Sequence, residues 1–368
     1  MWLWVAAGTA LLAQSPQPQL LEFRTAPGAP LTVVGTDLGD SRVQNRGGAM
    51  VLDLHATVTL RNNGAQNVRG VTLLVLAQEM TPGGKGSVAV PSLNVPPGRN
   101  FPVKINLRLL RPLPAPAGPL VEVGLDGVLF SDLSFFGPNR LESRRVLTAW
   151  ELEARRDREY LKAVLEKQGA EGLRQEMLAS LTRQQSRPRL DVQVSRGPNR
   201  AISAAVNALT GKNVSFAFLR LPGAPLDPLT GVAHVSADEA GSPRIEVANR
   251  SNRPVRYFEV GWIVKDAGGR EYLAGTIPPE TAALDLRPGK TAATLQGRTY
   301  KLGSEIAAMS GFISQVEFAD GSLWIPSRKA LGEGSLLGIL PASPEEQRLG
   351  ELYRNKGLQA LAEELGKF

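Results

Sequence analysis

The chain has no cysteine, and its only histidines are His55 and His234. Without Cys there is no disulfide framework, no thiolate zinc site and no lipidated cysteine. With two His, neither a zinc site of three or four side-chain ligands nor a His-based triad can be read from the sequence. Long apolar runs are missing as well. The apolar stretch over residues 1–14, Met-Trp-Leu-Trp-Val-Ala-Ala-Gly-Thr-Ala-Leu-Leu-Ala-Gln, is shorter than the ~20 residues a helix needs to span a bilayer. It suits the core of a Sec-type signal with a cut near Ala13, although no Lys or Arg precedes it. Residues 1–19 are therefore expected to be a signal peptide and leader, and the mature protein to be periplasmic or extracellular. The competing reading is a buried first strand.

Acid is the scarcer charge, with 35 Asp and Glu against 42 Lys and Arg, a net charge of +7. Such an excess favours encounter with lipid headgroups, acidic glycans or nucleic acid, and by itself confers no specificity. Turn formers are plentiful. The 38 Gly and 27 Pro punctuate apolar runs instead of forming tracts, as many short strands joined by turns require. A length of 368 residues leaves room for two or three domains.

The chain also repeats itself. Pro-Gly-Ala-Pro-Leu at 27–31 recurs at 222–226, and Asn62-Asn63-Gly64 has its counterpart in Asn249-Arg250-Ser251. Gly83-Gly84-Lys85 matches Gly268-Gly269-Arg270, and Pro97-Gly98 matches Pro288-Gly289. Val121-Glu122-Val123-Gly124-Leu125-Asp126-Gly127 is echoed by Val316-Glu317-Phe318-Ala319-Asp320-Gly321. Asp126-Gly127 and Asp320-Gly321 are thus expected at equivalent hairpin tips, with the extra residue of the first copy forming a bulge. Between the turns, Leu52, Leu54, Ala56, Val58 and Leu60 alternate with Asp53, His55, Thr57, Thr59 and Arg61, the mark of a half-buried antiparallel strand.

Helical patterns follow each set of strands. Thr148 reads as the cap of a helix interrupted at Gly169, and Ser343-Pro344 as the cap of one interrupted at Gly357. Leu147, Trp150, Ala154, Leu161 and Val164 share one helical face. Eight bases and six acids in mixed order over 140–167 predict an exposed helix with paired charges.

The expected fold is mainly β: two immunoglobulin-like antiparallel β-sandwich units, each followed by a short helical tail. Unit 1 covers 20–140 and its tail 141–186. A connecting segment, Ala-rich over 201–209, covers 187–212. Unit 2 covers 213–340 and the C-terminal tail 341–368. In the second unit Asn249 to Asn252, Val255, Trp262, Asp266, Gly268/Gly269 and Pro288-Gly289 carry a resemblance to the FxLYD-type family of small bacterial β-sandwich domains. The resemblance implies an extracytoplasmic module without established catalysis. The Tyr-Asp signature of that family is not present here.

Motifs of catalysis do not complete themselves. Gly289-Lys290-Thr291 has Leu284 and Gly211-Lys212 has Val206 where a phosphate loop needs Gly, and Gly84-Lys85 lies in a hairpin. Gly334-Ser335-Leu336-Leu337-Gly338 has one residue too many for a nucleophile elbow. Asp126 with Glu122 and Asp320 with Glu317 are expected at strand ends and turns for backbone reasons. Trp262 and Trp324 read as core of the second unit.

The stronger surface signal is basic. Arg61, Arg69, Lys85, Arg99, Lys104, Arg108 and Arg111 face one acid, Glu79, between positions 54 and 121. The candidate binding surface is Lys104, Arg108 and Asn106 on one outward strand face, with Arg99 and with Phe135-Phe136 as an exposed contact. The bland reading of that strip is a solvated sheet face with charges protecting an edge. Function is expected to be that of an exported, non-enzymatic binding or scaffolding protein of the cell envelope. No cofactor is expected, and the partners are envelope proteins or anionic glycan or lipid surfaces. An uncharacterised hydrolase, or an accessory subunit of an envelope enzyme, is the first alternative. A nucleic-acid binder acting through the basic first unit is the less favoured one.

Overall fold

A computed structural model describes residues 20–77, 85–112, 118–190, 192–195, 211–281, 284–294 and 299–368. The expected signal peptide, the Gly83-Gly84 turn and the Ala-rich stretch lie outside the described residues. The fold is mainly β, strand outweighing helix by 45% to 24%. The chain divides into two compact units, Met1–Arg144 and Arg145–Phe368.

The first unit contains β1 (Leu21–Arg24), β2 (Leu31–Asp37), β3 (Arg42–Arg46), β4 (Ala49–Asn62), β5 (Val68–Ala77), β6 (Lys85–Val90), β7 (Asn100–Pro112), β8 (Val121–Phe130) and β9 (Phe135–Phe136). One sheet places β4 between β7 on one side and β2 and β3 on the other. The other runs β1-β8-β5-β6, with β9 on the end of β8. The alternation along β4 sends Leu52, Leu54, Ala56, Val58 and Leu60 into the gap between the sheets, where they meet Val71, Leu73, Val123 and Val128. Each such Leu or Val adds ~1.5–3 kcal/mol of transfer free energy.

The second unit repeats this frame with β10 (Gln193–Ser195), β11 (Lys212–Phe218), β12 (Leu226–Ser236), β13 (Glu239–Asn249), β14 (Val255–Asp266), β15 (Glu271–Ile277), β16 (Thr291–Ala293), β17 (Thr299–Lys301), β18 (Ile306–Phe318) and β19 (Leu323–Trp324). β11 joins both sheets, antiparallel to β12 through its first half and parallel to β18 through its second. Trp262, Phe258, Ile313 and Val316 fill the core, with Trp324 packed at its margin.

Backbone polar groups explain why the turn residues recur. The buried Asn62 donates from Nδ2 to the carbonyls of Gln66 (2.8 Å) and Val95 (2.9 Å) and accepts from Gly64 N. Asn249 does the same with Arg253 (2.8 Å), Leu286 (2.9 Å) and Ser251 N. Gly98 N donates to Asn62 O and Gly289 N to Asn249 O. Each Asn thus serves as an internal bracket between three chain segments.

The Asp-Gly echo, however, does not mark equivalent places. Asp320-Gly321 does sit at the β18–β19 hairpin, but Asp126 lies inside β8. Its true counterpart is Ser314, because the register slips at Asp126 between Leu125 and Gly127, and at Ser314 between Ile313 and Gln315. The bulge is therefore common to both copies and is not made by an extra residue of the first, which corrects that expectation. The counterpart of Asp320 is Asp132: Ser134 N donates to its Oδ1 as Ser322 N does to that of Asp320. Leu133, with φ 68°, holds the left-handed position that Gly321 holds at φ 83°. Asp126 is buried and accepts from Arg140 N, Leu141 N and Ser143 Oγ at 2.5–3.1 Å. Glu317 is likewise buried within β18, against Arg145 and Arg256.

Among the described residues the α-helices are α1 (Ser143–Ser186), α2 (Arg328–Glu333) and α3 (Pro344–Leu365). α1 starts ahead of Thr148, because Asn139 Oδ1 already accepts from Arg144 N; Thr148 is buried within the helix. Gly169 (φ 70°) and Gly357 (φ 80°) break α1 and α3 as predicted. Ser343 Oγ accepts from Glu346 N with Pro344 at the first helical position. The assignment of residues 141–186 to the first unit is corrected. Leu161, Leu173 and Met177 of α1 share a small core with Leu349, Leu361 and Leu365 of α3, so the body of α1 belongs to the second unit. No helix among the described residues is long and apolar enough to cross a membrane.

Candidate functional site

The structure places the predicted basic strip where alternation put it. Lys104, Asn106 and Arg108 are exposed along β7, and Arg99 is exposed in the turn before it. Across the ladder they stand opposite Thr57, His55 and Asp53, and Asp53 also pairs in register with Arg42 of β3. His55 is held between Asp53 (Nε2 to Oδ1, 3.3 Å) and Asn106 (Nδ1 to Oδ1, 3.3 Å). The strip therefore contains an acid, and Arg69 lies in the opposite sheet on β5. His234 has Asn213 Oδ1 at 3.2 Å from Nδ1. The side chains of Lys85 and Arg111, and all of Glu79, lie outside the described residues. Phe135 and Phe136 are corrected: they are half-buried, Phe136 against the first core. A Cβ on Gly127 would lie 2.6 Å from the Phe135 ring. They serve packing, not exposed contact.

Sequence reasoning missed a cavity of about 270 Å3 in the second unit. Its floor is the outer face of the β15-β14-β18 sheet, which carries Glu259 and Gly261 beside Phe312, Ser314 and Gln315. Gly261 is paired with Phe312, and its missing side chain lets the ring lie flat; a Cβ there would be 2.3 Å from the ring. One wall is α1, where Trp150, Glu153 and Arg156 recur at helical spacing, joined beyond Gly169 by Ser180, Arg183 and Gln184. Arg328 and Leu331 of α2, the 337–343 connection and Glu346 of α3 close the remainder. The residues come from six elements and no two adjacent motifs, so no spacing in the sequence announces them.

Charge around the cavity is mostly self-compensated. Arg156 binds Asp157 (3.0 Å) and the carbonyl of Pro326 (3.2 Å). Arg328 grips Glu346 with two nitrogens, at 2.9 and 3.1 Å, and reaches Asp157 (3.4 Å) and Glu176 (3.5 Å). Arg183 pairs with Glu176 (2.9 Å) and Glu346 (3.5 Å), and Ser180 Oγ donates to Glu346 (2.6 Å). Burial alone would raise the Glu346 carboxyl, but Arg328 holds it below the usual carboxylate range. Behind this ring, buried Arg158 joins Glu151 (3.0 Å) and Glu345 (3.2 Å), and Arg348 joins Glu345 (2.8 Å) and Glu364 (2.7 Å). The mixed charges of α1, expected on an exposed face, are thus buried in part: Glu151, Asp157 and Arg158 each expose under 5%. Spacing shows that a charge has a partner on its helix, but not that a second helix will cover the pair.

Glu153 is the exception. Among the described residues its carboxyl has no hydrogen bond or ion pair. Burial pushes it up to about 7; nearby Arg156 pulls it down and Asp157 pushes it further up. The Glu259 carboxylate accepts from the hydroxyl of Tyr257 (2.6 Å) and from no other group among the described residues, while its backbone carbonyl accepts from Ser314 Oγ (3.1 Å). Gln315 Nε2 and Arg328 Nε find no partner, but neither exposes surface to the cavity. Among the described residues no group of three or more His, Cys, Asp or Glu is disposed to hold a metal ion.

No protein-family model matches the chain, and no curated protein matches it. Among solved structures it is similar to one named pT26-6p, at 8% identity and a TM-score of 0.17, covering 88% of this chain and 72% of that one. It is also similar to a β-glucosidase from Kluyveromyces marxianus, at 9% identity and a TM-score of 0.15, covering 75% of this chain. This chain spans 45% of the length of that enzyme. Scores this low carry no argument about fold or activity.

Proposed function

We propose that the protein is an exported, non-enzymatic binding protein of the cell envelope, whose second unit takes a small ligand into its cavity. The observation that carries this reading is the pairing of charge around the cavity. Its three guanidiniums are committed to Asp157, Glu176 and Glu346, so they hold the walls instead of converging on a reaction centre. What remains for a ligand is apolar surface from Trp150, Phe312 and Leu331 and the carboxyls of Glu153 and Glu259. That is the make-up of a binding pocket, apolar with a few placed polar groups.

A thermal-shift panel of neutral, cationic and anionic small molecules on the full chain tests the reading. A ligand at a hundred times its Kd should add ~2.7 kcal/mol. If no member of the panel raises Tm, the binding reading falls; if one is turned over, the hydrolase alternative replaces it. The exposed row Lys104-Asn106-Arg108 supports a second contact, to anionic glycan, lipid or protein surfaces of the envelope. Its test is cosedimentation with phosphatidylglycerol vesicles, which K104E/R108E should reduce. Nucleic acid is the less favoured partner, since Asp53 interrupts the positive strip. Export is supported by the apolar start, the absence of Cys and the motifs shared with FxLYD-type domains. Fractionation with N-terminal sequencing decides it, and an intact Met1 on a cytoplasmic protein would overturn it.

A further inference from the structure

We propose that the cavity of the second unit selects a small organic amine, its ammonium paired with Glu153 and its apolar body laid over Phe312. The inference rests on the binding reading above and names the ligand class. It follows from which charges are already spent. An anionic ligand would have to draw Arg156, Arg183 or Arg328 away from Asp157, Glu176 and Glu346, each bound at 2.9–3.0 Å. Doing so would orphan a buried carboxylate, which is costly. A cationic ligand displaces nothing, because Glu153 has no partner among the described residues and Glu259 only the Tyr257 hydroxyl.

An ammonium also supplies what Glu153 lacks. Burial makes the charged carboxylate unfavourable, and a cation at bonding distance restores it. Trp150, on the same face of α1, can receive a cation on its ring. The apolar part of the ligand meets Phe312, Leu331, Leu337 and Leu340. A cavity of about 270 Å3 is far larger than the ~10–15 Å3 one water needs and sits at the small end of ligand sites. It therefore fits an alkylamine or arylalkylamine and not a polymer.

Binding is coupled to pH. The charged groups facing Glu153 are Arg156 and Asp157 on its own helix, Arg183 beyond the Gly169 break, Glu259 on β14, Arg328 on α2 and Glu346 on α3. An alkylamine, at ~10.4 or above, stays charged between pH 6 and 8. The amine should therefore displace a proton from Glu153, and affinity should fall about tenfold from pH 8 to pH 6 as that carboxyl is neutralised.

Isothermal titration of the full chain with n-hexylamine, n-hexanol and hexanoate, at pH 8 and pH 6, is the test. The expected result is saturable hexylamine binding at pH 8, weakened about tenfold at pH 6 and at least tenfold in E153Q, with hexanol weaker and hexanoate not bound. Hexanol or hexanoate binding as tightly as hexylamine would overturn the amine class and leave the cavity reading standing. Hexylamine binding insensitive to both pH and E153Q would overturn the assignment of Glu153. Absence of hexylamine binding overturns the amine class, and the wider thermal-shift panel then decides the cavity reading separately. If E153Q fails to fold, the pH comparison on the unaltered chain still decides.

Discussion

Replacing Glu153 with Gln should make the second unit more stable at pH 8 and leave it unchanged at pH 5. In the folded protein the carboxyl is pushed from its ordinary 4.5 to about 7, mainly by burial. The folded state therefore binds more protons than the unfolded one between those values. Stability is fully present below about 4.5 and is lost as the pH rises through 7. A full separation of that size corresponds to ~3 kcal/mol. Glu153 is only partly enclosed, so ~1–3 kcal/mol is the expected loss at pH 8. Gln cannot ionise, so the E153Q curve lacks that fall. At ~2–4 °C per kcal/mol for a domain of this size, E153Q should melt ~2–12 °C above the unaltered protein at pH 8. The lowered Glu346 works in the opposite direction, its contribution being lost in acid, but it is common to both proteins and cancels in the difference. Urea unfolding followed by Trp fluorescence is the assay, because Trp150, Trp262 and Trp324 all lie in the second unit. Parallel stability curves from pH 5 to 8, or an E153Q protein less stable at pH 8, would refute the reasoning.

Three other substitutions probe the frame. R158M leaves Glu151 and Glu345 short of a buried cation and should cost ~3–5 kcal/mol in urea unfolding, much of it recovered when both Glu are made apolar as well. N249A strands the carbonyls of Arg253 and Leu286 and should cost ~1–3 kcal/mol, with N62A doing the same in the first unit. G261A drives a methyl into the Phe312 ring and should cost ~1–3 kcal/mol by thermal denaturation, and hexylamine affinity should fall with it.

Much of the frame was legible because turns are demanded by backbone geometry. Asn62 and Asn249, Gly98 and Gly289, Gly169, Gly357 and Ser343 each do what their residue type predicts. The Asp-Gly echo misled because identity was taken for position. Leu133 occupies a left-handed site normally left to Gly or Asn, so the real partner of Gly321 carried no turn signature. α1 was legible as an amphipathic helix, but periodicity reveals that a face is apolar and not what covers it. Its apolar side meets Leu349 and Leu361, far along the chain. The cavity was illegible for the same reason: its groups converge only through tertiary packing.

The bulge at Asp126 and Ser314 sets the register of the two copies against each other, and the register shows which residues of the first unit stand where the second carries its cavity floor. On the outer sheet face, Glu259 opposite Gln315 corresponds to Thr72 opposite Gly127, and the Phe135 ring lies on that glycine. One step on, Gly261 opposite Phe312 corresponds to Leu74 opposite Gly124. The bulky residue has changed strands, and the combined size of the pair has changed little. The inward pair behaves alike: Trp262 with Gly311 in the second unit, Val75 with Val123 in the first. Compensated volume is what lets a sandwich keep its strands while its residues change. Phe312, with Gln315 further along its own strand and Glu259 on the neighbouring one, gives the second unit an aromatic floor edged with polar groups. At the matching places the first unit carries Leu74, Thr72 and Gly127. The frame is common to both copies, and the same strand positions carry different side chains on the outer face of each.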